Sequence, residues 1–337
     1  MTPRHPVAVL AHPHPRSRIF APDVWHEFTE AFDVHELGQD GDELDDLLPE
    51  LFAVVGQPDL PRERLDHAPK LRAVLNVEGN FYPNVDYATC HERSIHVLGC
   101  GPAYADAVAE FALGLTIDLA RGITREDRAF RAGRERYVAA GNDGAILLRG
   151  ADIGLIGFGN LGRALLPLLT PFGATVRIHD PWLPDDVITR SGARAATLSD
   201  VLTRSAIVIV VATVTAETEG LLGAAELDSM PAGARLVLVS RAPVVDFDAL
   251  LDRVADGRLT AAIDVWPDEP MPVDARARTL DGLVLSPHRA GGIPQAFAQI
   301  GAMVLDDLRL IEQGLPPVRM QVAARELVAR YRNRPVS

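Results

Sequence analysis

Only two cysteines, Cys90 and Cys100, occur in the 337 residues. That is too few for a disulfide framework and fits a reducing compartment, so both are read as buried thiols. Positive charge is short as well: 33 Lys and Arg stand against 46 Asp and Glu, a formal net charge of −13. Such a balance leaves no basic field to gather nucleic acid or anionic lipid. Long apolar runs are missing, since Ala206–Ala212 falls far short of the ~20 residues that a membrane-spanning helix needs. Met1–Arg16 holds no signal-peptide core or small-residue cleavage site, and there is no repeat, low-complexity tract or heptad pattern. These absences predict a cytoplasmic protein with neither nucleic acid nor membrane as a partner. The short stretch after Gly314 leads us to expect no appended regulatory domain.

What is present is a chain with a hydrophobic share of 47%, long enough for roughly two domains. In the first hundred residues, apolar runs at Val7–Ala11, Leu51–Gly56, Leu71–Val77 and His96–Cys100 read as strands. Amphipathic stretches such as Pro22–Phe32 separate them. The alternation predicts a parallel sheet with helices on its faces. No glycine-rich loop follows any of these strands, so this half reads as a scaffold that presents loops to a substrate.

A long helix is expected from Ala103 past Arg121, with Val108, Phe111, Leu115 and Leu119 on one face. Strand and helix alternation then restarts, with strands at Asp152–Gly157, Thr175–Asp180, Ala206–Ala212, Arg235–Ser240, Thr260–Trp266 and Gly282–His288. Six strands with helices between them predict a complete doubly wound dinucleotide domain. A further helix carries Phe297, Ile300, Val304, Leu308 and Ile311 on one face, stops at Gly314, and is free to pack back on the first domain. Met320–Tyr331 reads as a last amphipathic segment.

The expected strand Asp152–Gly157 runs into Gly157, Gly159 and Gly162 at the spacing of the dinucleotide fingerprint. Gly157 permits a tight turn, Gly159 lets backbone approach a pyrophosphate, and Gly162 lets the helix sit close on the strand. The helix start, with Asn160 and Leu161, turns N–H groups and partial positive charge towards phosphates. The following strand ends in Asp180, where a carboxylate accepts from the adenosine ribose and repels the extra phosphate of NADP. Pro167 falls inside the helix at a nominal cost of ~3 kcal/mol, which the sequence does not explain.

Three later segments carry reactive groups. Leu236–Arg241 puts Arg241 after a buried strand, Asp264–Pro270 puts Asp264 and Glu269 at and beyond the next strand end, and Leu285–His288 brings His288 to the end of the last. A guanidinium grips a carboxylate bidentately. A histidine takes a hydroxyl proton as hydride leaves. A carboxylate behind it orients the ring and favours the imidazolium.

The order and surroundings of these residues resemble the D-isomer-specific 2-hydroxyacid dehydrogenases, the family of phosphoglycerate and glycerate dehydrogenases. The likeness runs from Ala68–Leu71 through Val108–Glu110 and Thr215–Thr218 to Pro287–His288. It implies NAD as the cofactor and a small 2-hydroxy or 2-oxo acid as the substrate. It implies catalytic roles for Arg241, Glu269 and His288, and a nicotinamide contact for Asp264 beside Ser240 of the cofactor site. Asn80 and Phe81 then sit in the loop whose backbone meets the substrate carboxylate. The implied fold is a Rossmann domain, residues 103–289, inserted in a flavodoxin-like catalytic domain made of residues 1–102 and 290–337, with a homodimer built through the dinucleotide domains.

Departures from the family pattern are Leu238 and Ala242 around the arginine, Ile293 after the histidine segment, and Phe81 in place of a glycine, whose bulk is expected at the substrate pocket. A nicotinamide-sensing binding protein of the same fold is the alternative, and it would not need Arg241, Glu269 and His288. A methyltransferase shares the glycine-rich strand end but has no use for that trio. His91 and His96 lie five apart, roughly 140° round a helix, so they do not form a zinc-binding pair and no metal is expected. His12 and His14 read as solvated loop histidines.

Overall fold

Thirteen strands form two separate sheets in the residues described by the computed structural model, 4–38 and 43–330. In chain order they are β1 (Pro6–Leu10), β2 (Asp33–Leu37), β3 (Ala53–Val55), β4 (Ala73–Asn76), β5 (His96–Gly99), β6 (Asp152–Ile156) and β7 (Thr175–His179). Then follow β8 (Arg194–Ala195), β9 (Ile207–Val210), β10 (Ala234–Leu238), β11 (Leu259–Ile263), β12 (Leu283–Leu285) and β13 (Gln321–Val322). The chain divides into two units, one up to Tyr104 and again from Gly292, the other Ala105–Gly291.

In the first unit the strand order is β2-β1-β3-β4-β5-β13, a flavodoxin-like order that reverses between β1 and β3. Alternate residues along each strand enter two cores, as the two-residue period of a strand requires. Val7, Val9, Val55 and Leu75 pack with Phe28, Phe32, Ile300, Val304 and Leu308 on one face. Ala8, Leu10, Val54 and Val74 pack with Leu44, Leu48, Leu65 and Cys90 on the other. Covering both faces explains why these strands read as unbroken apolar runs. The helix Pro294–Glu312 supplies Ile300, Val304, Leu308 and Ile311 to the first of these cores, so it does return to the first unit.

Two features of this unit differ from the sequence reading. β2 was not anticipated, because Asp33–Leu37 is an edge strand with only Leu37 buried, and a mostly solvated edge carries no apolar pattern. The expected amphipathic segment Met320–Tyr331 instead gives β13, antiparallel to β5, and a short helix Arg325–Val328; Tyr331 lies outside the described residues. The buried Asp307 carboxylate produces this course by accepting from the backbone N–H groups of Val318, Arg319 and Met320, donors that the chain leaves unpaired as it turns back.

The second unit has the order β12-β11-β10-β9-β6-β7-β8, entirely parallel, with the reversal between β6 and β9. This is a doubly wound dinucleotide architecture, and its ligand crevice lies outside the carboxyl ends of the strands at that reversal. Its central strands are buried throughout, β9 as Ile-Val-Ile-Val and β10 as Ala-Arg-Leu-Val-Leu. The charged residue of β10, Arg235, donates to the carbonyls of Leu119, Gly144 and Gly233. Burial, and then the nearby Arg125, depress its proton affinity. Burial also pushes the Cys90 thiol up to about 12 and Cys100 higher still, so neither is a nucleophile. Among the described residues no helix is long and apolar enough to cross a membrane.

Candidate active site

The glycine-rich turn follows β6. Gly157 has φ +96° and a Cβ there would lie 2.8 Å from the backbone N of Ala212 just past β9, so glycine is required at the strand reversal. A Cβ on Gly162 would lie 2.7 Å from the carbonyl oxygen of Gly157, and its absence lets the helix Asn160–Leu169 start close against the turn. At Gly159, by contrast, a Cβ would meet nothing within 4 Å; the bare backbone faces open space. The first backbone bond of this helix runs from Arg163 N to Gly159 O, so the N–H groups of Asn160, Leu161 and Gly162 precede the ladder, where an anion binds. Pro167 sits on the exposed side of the helix.

Asp180 follows β7 and holds this turn in shape. Its Oδ2 accepts from Phe158 N at 2.8 Å and its Oδ1 from Trp182 N at 3.0 Å. Each carboxylate oxygen keeps a further lone pair for a ribose hydroxyl. Ser240, just past β10, is buried with no hydrogen-bond partner for its Oγ among the described residues. A buried hydroxyl without a partner is costly, and an amide or hydroxyl of a bound cofactor would satisfy it. The open backbone at Gly159, the Asp180 carboxylate and the Ser240 hydroxyl together fit a dinucleotide.

The reactive groups follow three adjacent parallel strands, in which Leu238, Ile263 and Leu285 are neighbours in register. Glu269 Oε1 accepts from Trp266 N at 2.9 Å, and its Oε2 meets His288 Nδ1 at 2.6 Å. With Nδ1 so occupied, Nε2 is the ring nitrogen open to a reactant. Arg241 is half-buried and its Nη1 donates to Ser240 O at 2.7 Å. Trp266 was not anticipated: besides holding Glu269 through its N–H, it ties its indole Nε1 to Ser286 O at 2.8 Å. Its position three residues before Glu269 was the only signal.

Asp264, for which the family resemblance implies a nicotinamide contact, holds a backbone turn in the folded chain. It is 1% exposed, and its carboxylate accepts from Ser286 Oγ and from the N–H groups of Arg289 and Ala290, while its carbonyl accepts from His288 N. It therefore caps the turn that carries His288, whose φ of +48° needs such support.

Asn80 and Phe81 belong to the first unit, beyond the end of β4. Phe81 is corrected most clearly. Its ring, expected at the substrate pocket, is 3% exposed and packs in the core of its own unit against Gly99 and Tyr87. The apolar ring gains more from burial than from a wet loop, so only its backbone remains for a ligand. His14, expected to be solvated, pairs through Nε2 with Glu78 Oε1 at 2.8 Å. His91 lies on the helix Tyr87–Glu92 and contacts Ala323 O, whereas His96 opens β5. Among the described residues no group of three or more His, Cys, Asp or Glu could hold a metal ion.

The family model described as "D-isomer specific 2-hydroxyacid dehydrogenase, NAD binding domain" matches residues 113–290. The chain belongs to the D-isomer specific 2-hydroxyacid dehydrogenase family. It is an NAD-dependent oxidoreductase of that family. Glyoxylate reductase of Thermofilum pendens is 30% identical, with 76% of each chain covered. D-3-phosphoglycerate dehydrogenase of Archaeoglobus fulgidus is 28% identical over 83% of this chain, which spans 53% of that relative's length. Among solved structures, a phosphoglycerate oxidoreductase from Rhizobium etli is 41% identical with a TM-score of 0.85, covering 95% of this chain and 99% of that one.

If Asp180 reads the ribose, Asp180→Ala will narrow the preference for NADH over NADPH by about tenfold or more, the worth of a charge-assisted hydrogen bond. Fluorescence titration with both cofactors measures this, and an unchanged ratio contradicts the assignment.

Proposed function

We propose that this dehydrogenase reduces a small 2-oxo acid to the D-2-hydroxy acid and runs the reverse oxidation, with Arg241, Glu269 and His288 as its working groups. The 2.6 Å contact between Glu269 and His288 Nδ1 carries the reading. It fixes which ring nitrogen exchanges a proton with substrate, a requirement of hydride transfer at a hydroxyl-bearing carbon and of no simple binding task. The relatives named for glyoxylate, phosphoglycerate and sulfolactate support the substrate class, since all three are small 2-oxo or 2-hydroxy acids.

When bound, NAD would supply or accept the hydride at its nicotinamide. The N–H groups of Asn160, Leu161 and Gly162 after Gly157 and Gly159 would hold its pyrophosphate, Asp180 its adenosine ribose, and Ser240 would satisfy its buried hydroxyl against the nicotinamide end. In the first unit, the backbone N–H groups of Asn80 and Phe81 are the proposed contact for a carboxylate. In the dinucleotide unit, Arg241 is the proposed grip for a substrate carboxylate and polarises the 2-oxo oxygen, and His288 Nε2 gives its proton to that oxygen. Glu269 orients the ring and balances its charge. Asp264 acts on His288 through the turn and is a positioning residue.

A second copy of the chain is the partner proposed for the apolar residues between 123 and 147. Ile123, Phe130, Tyr137, Val138 and Leu147 are between 55% and 84% exposed in one stretch of the dinucleotide unit, and exposed apolar side chains gathered in one segment mark a candidate interaction surface. Sedimentation should give a dimer that the Phe130→Asp, Leu147→Asp double variant converts to monomer; a monomeric wild type contradicts this.

For the chemistry, His288→Asn should lower turnover of an active 2-oxo acid by ~10²-fold or more while NADH affinity holds. Arg241→Lys keeps the charge but loses the planar fork, so KM should rise and kcat fall together. Stopped-flow and steady-state assays at 340 nm measure both, and near wild-type turnover in His288→Asn sinks the mechanism.

A further inference from the structure

The first unit carries a second histidine–carboxylate pair that the proposed chemistry does not use. His14 lies beyond β1 and Glu78 beyond β4, at the carboxyl end of the sheet where doubly wound folds bind ligands. Glu78 immediately precedes Gly79–Asn80, the segment read as meeting the substrate carboxylate. The ring of Tyr104 lies 3.4 Å from where a Gly79 Cβ would be, and Phe297 packs edge-on against both His14 and Tyr104. Loop, pair and rings thus form one patch within a single unit.

His14 holds one oxygen of the Glu78 carboxylate: its Nε2 meets Glu78 Oε1 at 2.8 Å, while its Nδ1 is buried with no hydrogen-bond partner among the described residues. Glu78 is 28% exposed at its side chain, with Oε2 left to accept. Its field is felt locally: after burial, it is among the causes that raise the proton affinity of Cys100 and Tyr104. Arg18 lies over the Phe297 ring at 5.3 Å, and no ion pair joins it to Glu78 among the described residues.

We propose that Glu78, held by His14, selects the substrate tail: it accepts from a neutral, hydroxyl-bearing group on the carbon beyond the 2-oxo acid and rejects an anionic tail such as phosphate or sulfonate. This rests on the reading of Asn80 as a substrate-carboxylate contact. A carboxylate two residues before Asn80 lies on the same loop, on the side of the next substituent of a three-carbon acid held there. A like charge there is a repulsive specificity element, and a hydroxyl donates to it. The relatives named for phosphoglycerate and sulfolactate act on acids with anionic tails, so the inference separates this chain from them.

The test compares kcat/KM of the full chain with NADH for hydroxypyruvate and 3-phosphohydroxypyruvate, which share a carbon skeleton. Wild type should favour hydroxypyruvate by about tenfold or more, and raising salt should narrow the ratio as charge is screened. Glu78→Gln should cut the ratio by about tenfold while Glu78→Asp retains it, with NADH affinity reporting that each variant is folded. A wild type that prefers the phosphorylated probe overturns the proposal. So does a Glu78→Gln ratio equal to that of wild type with both rates lowered together, the mark of a merely structural role. If wild type binds NADH but reduces neither probe nor glyoxylate, the 2-oxo acid reading falls and this inference with it. If hydroxypyruvate is reduced with an unaltered ratio, only the role of Glu78 falls.

Discussion

The Glu269 carboxylate is held at both oxygens, by Trp266 N and by His288 Nδ1, and the reactive end of the dinucleotide unit depends on that clamp. A free carboxylate on a loop would sample many rotamers and leave the imidazole free to turn over. Holding one oxygen on a backbone N–H fixes the other, and the fixed oxygen decides the orientation of the ring. The side chains are 36% and 42% exposed, so solvent screens their attraction and the pair adds little to stability. Its value is geometric.

The clamp needs a scaffold, and the parallel sheet provides one. β10, β11 and β12 end side by side, which brings Arg241, the segment 264–269 and His288 to a common edge although up to 47 residues separate them in sequence. His288 occupies a left-handed backbone conformation, which costs a non-glycine residue about 1–3 kcal/mol. The buried Asp264 offsets that cost with hydrogen bonds to the N–H groups that follow. Strain at the acid/base and a buried carboxylate behind it are thus two parts of one arrangement.

Much of this was legible in the sequence because the signals are local. Buried parallel strands announce themselves as runs such as Ile207–Val210, and the glycines at 157, 159 and 162 stand at a recognisable local spacing. What escaped depends on partners far along the chain. β2 has one buried residue and borrows its pairing from β1, and β13 exists because Asp307 holds the chain that leads to it. Phe81 could not be placed without knowing that Gly99, on another strand, leaves room for its ring. His14 looked like any loop histidine until Glu78, 64 residues later, was seen beside it. Asp264 was recognised as a site residue, but which donors it serves is a property of the folded turn.

The central claim is that the Glu269 charge acts through His288. The pH dependence of kcat/KM for reduction in Glu269→Gln, which keeps the shape and hydrogen-bonding length but removes the charge, tests it most directly. The account predicts that the profile moves to lower pH with NADH affinity retained, because the protonated ring loses its stabilising partner. A profile superimposable on that of wild type would contradict it.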